Sequence, residues 1–128
     1  MTRFLTFAGS QNGQQLDFTA LLSTMAPPAI TGRGVLGMFK YDATSVLKNI
    51  TVPSLVIGAV SDRLTKLEAS EYMASNIAGS QLLSLSPAGH MGFVEQHSEV
   101  NEAVNKFILD SSKNNNILDN LYQQKEKL

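Results

Sequence analysis

Two side chains in this sequence could form a proton-transfer pair, the carboxylate of Asp62 and the imidazole of His90. Asp62 follows the apolar run 55–57, and His90 stands in the string Pro-Ala-Gly-His after a second apolar run. A carboxylate beside a neutral imidazole fixes its tautomer and stabilises the imidazolium that forms. The imidazole is then a general base near neutral pH. The pair therefore predicts catalysis in which His90 takes the proton of a nucleophile.

The segment before Asp62 has the pattern of a buried strand. Pro53 cannot donate to a strand ladder, which suits the first position of a strand. The residues at 55–57 are Leu, Val and Ile, and Gly58 follows them. A short apolar run between such residues is typical of a strand that is covered on both faces. This strand delivers Asp62 at its carboxyl end.

A helix and a second strand follow. The string Thr65-Lys-Leu-Glu68 predicts a capping box at the start of a helix that ends near Ile77. Residues 81–86 then predict a second strand, so the unit is strand, helix, strand, with the two strands parallel. Since the carboxyl ends of neighbouring parallel strands share one edge of a sheet, we expect both members of the pair in loops at that edge.

Further helices are predicted on either side of this unit. Asp17 is a candidate cap for a short helix that ends before Pro27. The string 32–37 matches Gly-x-Gly-x-x-Gly but lacks a strand before it, so we interpret it as a loop that enters a helical stretch from Val35 to Lys40, rather than as a dinucleotide site. Ser98 is expected to cap a last amphipathic helix, which the polar composition from Ser111 onward should break.

Composition limits the class of protein. The chain has 128 residues, 43% hydrophobic and 16% charged, which indicates one globular domain. Its net charge of −1 gives no reason to expect nucleic acid or an anionic membrane as a partner. There is no Cys, and His90 and His97 have no recognised zinc spacing, so no metal or other cofactor is expected. No apolar run approaches the ~20 residues of a membrane span. The amino-terminal stretch is a poor signal peptide, and the expected location is the cytoplasm.

Around the two candidate residues, the sequence resembles the α/β-hydrolase superfamily. Residues 50–65 look like the family's acid-bearing strand and loop, and residues 83–95 look like its last strand and histidine loop. The helix from Ser98 is similar to the closing helix, and residues 24–47 are similar to the stretch that leads out of the lid. The resemblance extends over about residues 15–109.

The resemblance implies a fold and a division of the chain. The implied fold is a partial three-layer α/β sandwich with two parallel strands and covering helices. Residues 1–48 would be a helical segment derived from the lid, residues 49–110 the carboxyl-terminal part of the hydrolase core, and residues 111–128 a polar tail. On this resemblance Asp62 is the triad acid and His90 the triad base.

The nucleophile of that family is missing from these residues. The family carries it in a Gly-x-Ser-x-Gly elbow between a strand and a helix, and no such string occurs in this sequence. The nearest string, Gly9-Ser-Gln-Asn-Gly13, has the wrong spacing. The resemblance thus implies the carboxyl-terminal half of a serine hydrolase for an ester or related acyl substrate. Such a half could be a truncated gene product, a fragment or one half of a split enzyme, and it would be inactive alone.

Two alternatives remain from other classes. The chain could be a non-catalytic interaction protein that pairs with another chain through its sheet edge, or a degenerate fragment without a function. Under all three hypotheses, we expect the chain to self-associate or to bind a complementing half along strand residues 54–58. A Gly-x-Ser-x-Gly segment encoded upstream would favour the hydrolase.

Overall fold

The structure, a computed structural model, describes residues 2–9 and 11–115, and these fall into two compact units that divide between Gln96 and His97. Short helices precede a strand–helix–strand unit, and two helices follow it. In chain order the elements are α1 (Thr2–Thr6), α2 (Gly13–Met25), α3 (Pro28–Met38), a 3-10 helix (Thr44–Asn49), β1 (Leu55–Ala59), α4 (Leu67–Asn76), β2 (Gln81–Leu85), α5 (Gly92–Glu95) and α6 (His97–Asn115). None of the helices described is long and apolar enough to cross a membrane.

The two strands form a parallel sheet, with α4 as the connection between them. The register runs from Leu55 opposite Gln81 to Ala59 opposite Leu85. The predicted α/β class and the parallel pairing are confirmed, and both strands lie close to the predicted positions. Both strands therefore end at the same edge of the sheet.

Close contact between β1 and α4 explains the glycine next to the end of the strand. A Cβ atom on Gly58 would lie 2.8 Å from the Ser70 side chain and 2.7 Å from Leu67. Ser70 is buried with 8% of its surface exposed, and Gly58 lets the helix approach the sheet at this point. The buried apolar residues of the amino-terminal unit, among those described, are Phe7, Leu47, Ala59, Ile77, Leu85 and Ala88.

Two expectations for the amino-terminal helices are wrong. Asn12 caps α2, and not Asp17, because Asn12 and Gln15 form a reciprocal capping box with hydrogen bonds of 2.9 Å and 2.8 Å. The glycine string at 32–37 lies inside α3 rather than in a loop. A proline at the first helical position starts that helix early, and glycine lowers helix stability by only ~1 kcal/mol per residue.

The predicted capping box at the start of α4 is also wrong. Lys66 occupies the cap position, where no side-chain hydrogen bond caps the helix. The Thr65 hydroxyl lies one residue before that position and donates to Asp62 at 2.8 Å.

The last helix continues beyond its predicted end. The polar residues from Ser111 onward extend α6 to Asn115, since nothing in that stretch is a Pro or Gly that would end a helix. The rest of the predicted tail, residues 116–128, lies outside the described residues, and the three-part division of the chain stays a prediction.

Candidate active site

The structure brings Asp62 and His90 together at the carboxyl edge of the sheet. The two loops that carry them are joined by backbone hydrogen bonds, from Val60 N–H to the Leu85 carbonyl at 3.0 Å and from Ser61 N–H to the Ala88 carbonyl at 2.9 Å. His90 Nδ1 lies 3.0 Å from Asp62 Oδ2. This distance is that of a hydrogen bond, so the arrangement has the geometry of an acid that orients a general base.

The Asp62 carboxylate is enclosed and fully hydrogen-bonded. Its side chain is only 7% exposed. Oδ1 accepts from the backbone N–H groups of Leu64 at 2.7 Å and Thr65 at 2.9 Å, and Oδ2 accepts from the Thr65 hydroxyl and from His90. Burial raises the pKa of this carboxyl group, but the hydrogen bonds from Thr65, His90 and Leu64 outweigh burial and hold the pKa below its ordinary value of 3.8. Asp62 is therefore ionised at neutral pH.

His90 is oriented by this carboxylate. Because ionised Asp62 can only accept hydrogen bonds, Nδ1 of a neutral His90 carries the ring proton and Nε2 is left as an acceptor. The side chain of His90 is 37% exposed, much more than that of Asp62. The ring can therefore take a proton at Nε2 while Asp62 stabilises the resulting positive charge.

An amino-terminal segment, residues 2–8, lies against the histidine loop, and we call it the strap. Met91 N–H donates to the Thr6 carbonyl at 2.7 Å. A Cβ atom on Gly89 would lie 2.7 Å from the backbone carbon of Phe7, so only glycine lets the strap pass this close to His90. Residues 1–16 show no hydrophobic period, so the sequence alone did not indicate this contact.

Glu95 joins the strap to the histidine loop. Its Oε1 accepts from the N–H of Ala8 at 2.8 Å, and its Oε2 accepts from the N–H of Gly89 at 2.7 Å. Glu95 thus holds the residue directly before His90. The sequence placed Glu95 within the histidine loop but assigned it no role, because its partner Ala8 is 87 positions away.

Arg63 connects the strap to the acid loop as well. Its guanidinium donates to the Phe4 carbonyl at 2.9 Å and lies 4.0 Å from the centre of the Phe4 ring. The strap therefore contacts both loops of the candidate site.

A cavity of about 200 Å³ opens beside the pair. The aromatic residue Phe93 of α5 lines this cavity. The cavity lining consists of Ile57, Gly58, Ala59, Asp62, Thr65, Ser70, Leu85, Gly89, His90, Gly92 and Phe93. Within residues 2–9 and 11–115, no cluster of acidic and His side chains could hold a metal ion.

The proteins similar to this chain in structure or sequence include an esterase, an enol-lactonase and a homoserine O-acetyltransferase. An esterase from Exiguobacterium antarcticum matches with a TM-score of 0.76 and 25% identity, over 81% of this chain and 39% of the esterase. The enol-lactonase from Burkholderia xenovorans matches with a TM-score of 0.51 and 26% identity, over 53% of this chain and 26% of that chain. A homoserine O-acetyltransferase from Saccharomyces cerevisiae is 37% identical over 73 residues, which are 56% of this chain and 15% of the transferase.

The chain spans less than half the length of each of these proteins. The sequence pattern of the TAP-like protein family, a family of α/β-hydrolases, matches residues 38–119. These residues include both strands, α4, and the loops of Asp62 and His90. By this match and by its fold, the chain belongs to the TAP-like family of the α/β-hydrolase superfamily.

Proposed function

We propose that this chain is the carboxyl-terminal part of a serine hydrolase that cleaves an ester or a related acyl bond. Asp62 is its acid and His90 its base, and the nucleophilic serine comes from outside these 128 residues. The observation that carries the proposal is the 3.0 Å contact between Asp62 Oδ2 and His90 Nδ1 at the carboxyl ends of two adjacent parallel strands.

The chemistry follows from the free ring nitrogen. Nε2 of His90 takes the proton of the serine hydroxyl while the serine oxygen bonds to the acyl carbon. The same nitrogen then returns the proton to the leaving alcohol, which departs as the acyl-enzyme forms. Water then attacks the acyl-enzyme, with the same proton transfers through His90, and the carboxylic acid is released as the serine is regenerated. In both halves the negative charge of Asp62 at Nδ1 stabilises the imidazolium of His90.

The substrate class is supported by the related proteins. An esterase, an enol-lactonase and an O-acetyltransferase are all named for reactions at an acyl–oxygen bond. A small acyl ester is therefore the substrate class that we propose for the complete enzyme.

The edge of β1 that faces away from β2 supports the proposal that the sheet has further strands from another chain. The hydrogen bonds from Gln81 N–H to the Ser54 carbonyl and from Val60 N–H to the Leu85 carbonyl show which residues of the strand face β2. By the alternation of a parallel ladder, the N–H groups of Leu55, Ile57 and Ala59 point away from β2. These groups could pair with a further strand, and a complementing half or a second copy of this chain is the partner that we propose.

An exposed apolar surface favours a missing partner as well. Every residue from 20 to 42 is exposed, although this segment includes much of α2 and all of α3, and we call it the exposed arm. Its most exposed apolar side chain is Phe39, at 84%. Soluble monomers rarely expose large contiguous apolar patches. The same observation favours the second candidate function, a non-catalytic interaction protein.

The test is complementation in trans. The chain is combined with an upstream-encoded segment that carries a Gly-x-Ser-x-Gly elbow, and hydrolysis of an activated ester and labelling by a fluorophosphonate are measured. We expect neither signal from the chain alone and both from the mixture. His90→Ala should lower the restored kcat by about 10⁶-fold, the loss that removal of a triad base causes, and His97→Ala is the matched control.

Two results would count against this proposal. Stoichiometric labelling of the lone chain at one serine, lost in His90→Ala, would mean that the nucleophile is within these residues. A stable complex of the two segments without turnover would favour the interaction protein.

A further inference from the structure

The Thr65 side chain lies between the two members of the candidate pair. Its hydroxyl donates to Asp62 Oδ2 at 2.8 Å, and the same oxygen is 3.3 Å from His90 Nδ1. Since Asp62 Oδ2 and His90 Nδ1 are 3.0 Å apart, the three polar atoms form a closed triangle. The N–H group at Nδ1 can therefore share its hydrogen bond between Asp62 Oδ2 and the Thr65 hydroxyl oxygen.

Thr65 holds both oxygens of the carboxylate. Its backbone N–H donates to Oδ1 of Asp62 at 2.9 Å and its hydroxyl donates to Oδ2. Rotation of the Asp62 carboxylate about its Cβ–Cγ bond would break both contacts. Leu64 N–H, at 2.7 Å, holds only Oδ1. Without the Thr65 hydroxyl, the donor left to Oδ2 among the residues described is the His90 ring that this oxygen has to orient.

A second turn in which an Asp accepts from a nearby Thr lacks this arrangement. At Asp42, the N–H and the hydroxyl of Thr44 both donate to the same oxygen, Oδ1, at 2.9 Å and 2.7 Å. That site contains no His. It offers a matched control, because removal of the Thr44 hydroxyl is the same chemical change at an Asp that orients no imidazole.

We propose that Thr65 is a positioning residue of the Asp62–His90 pair, whose hydroxyl keeps Oδ2 directed at Nδ1 and so holds the Nδ1–H tautomer. Thr65 acts through Asp62 and does not touch the reacting atoms. Its catalytic meaning rests on the proposed function, whereas the hydrogen-bond arrangement can be tested in this chain alone.

The test is nuclear magnetic resonance of the 128-residue chain with ¹⁵N-labelled histidine. The chain has two His residues, and His97→Asn assigns their signals. Solvent exchange of the His90 Nδ1 proton is measured in the wild type, Thr65→Val, Thr65→Ala, Thr65→Ser and Thr44→Val. We expect exchange to be about tenfold faster in Thr65→Val and Thr65→Ala, the effect of one lost hydrogen bond to a charged group. Thr65→Ser, which keeps the hydroxyl, and Thr44→Val should match the wild type.

The two variants without a hydroxyl distinguish the loss of the hydrogen bond from a change in packing. Thr65→Val keeps the shape of the side chain, whereas Thr65→Ala removes the hydroxyl without placing a methyl group against His90. Equal exchange in the wild type and in whichever of these variants keeps the native amide spectrum overturns the proposal, and so does faster exchange in Thr65→Ser or Thr44→Val.

The complemented enzyme supplies a second readout. There, Thr65→Val should lower kcat about tenfold with KM unchanged, and Thr65→Ser should restore kcat. An unchanged kcat in Thr65→Val overturns the proposal. If complementation yields no turnover even with wild-type Thr65, the proposed function fails, and the exchange rates still decide the role of the hydroxyl.

Discussion

At the scale of single residues, the charge of Asp62 is tied to the folded state. The hydrogen bonds from Leu64 and Thr65 form within the folded acid loop, and the hydrogen bond from His90 forms only when the histidine loop lies beside it. They hold the pKa of the carboxyl group below 3.8 against the opposing effect of burial. A group whose pKa is lowered by folding contributes stability that is present above its unfolded pKa and is lost as the pH falls through its folded pKa.

Asp62→Asn should remove this dependence on pH. At pH 7 we expect the variant to be less stable by about 1–3 kcal/mol. The NH₂ group of the asparagine would replace one carboxylate oxygen and face hydrogen-bond donors, with which it cannot bond. As the pH falls from about 5 to 2, the wild type loses this advantage and the difference narrows. Urea denaturation at several pH values measures it, with Asp17→Asn, at an exposed position of α2, as the control for the change of charge. A difference that is constant across this range would contradict the expectation.

At the scale of elements, the histidine loop depends on a distant segment. The strap contacts the loop through Met91 N–H and through Glu95, which accepts hydrogen bonds from Ala8 and Gly89. These contacts join the first residues of the chain to the residue before His90. The position of the imidazole is therefore set by the strap as well as by the sheet.

Glu95→Gln should loosen this connection. Glutamine has one acceptor oxygen, so either the Ala8 or the Gly89 N–H would face a donor instead of a carboxylate oxygen. We expect a loss of about 1–3 kcal/mol in the free energy of unfolding and faster amide exchange at Gly89. Glu71→Gln, at an exposed position of α4, is the matched control. Amide exchange at Gly89 that equals that of the wild type would show that Glu95 does not hold the loop.

At the scale of the whole molecule, two surfaces of the amino-terminal unit bear on its association with other chains. One is the edge of β1, where the N–H groups of Leu55 and Ile57 point away from β2. The other is the exposed arm, residues 20–42. An open strand edge is a template for pairing with another strand. A two-stranded sheet whose β1 edge is unpaired is expected to bind a further chain.

We expect the isolated chain to self-associate through the strand edge, and sedimentation velocity over a range of concentrations tests it. Leu55→Pro removes an N–H that points away from β2 and leaves the β1–β2 ladder intact, so it should weaken association. Phe39→Ser, which removes the most exposed apolar side chain of the exposed arm, should have a smaller effect. A monomer at all concentrations, or association lost only in Phe39→Ser, would contradict pairing through the edge.

Much of the fold could be predicted because its signals are local. Apolar runs bounded by Pro53 and Gly58 determined β1, and the spacing to the next apolar run determined a parallel partner. Since parallel neighbours end at one edge, the sequence alone placed Asp62 and His90 in adjacent loops. The cap of α2 was missed although Asn12 and Gln15, three residues apart, carry the local signature of a capping box.

What only the tertiary structure decided is which partner each polar group takes. Thr65 has the sequence context of a helix cap, yet its hydroxyl donates to Asp62, because the folded loop brings a charged acceptor within 2.8 Å. Glu95 accepts from Ala8, 87 residues earlier, and no local pattern records that distance. Sequence spacing determines where strands and helices lie along the chain. Hydrogen-bond partners across loops depend on distances that exist only after the chain has folded, so the contacts that position His90 came from the structure alone.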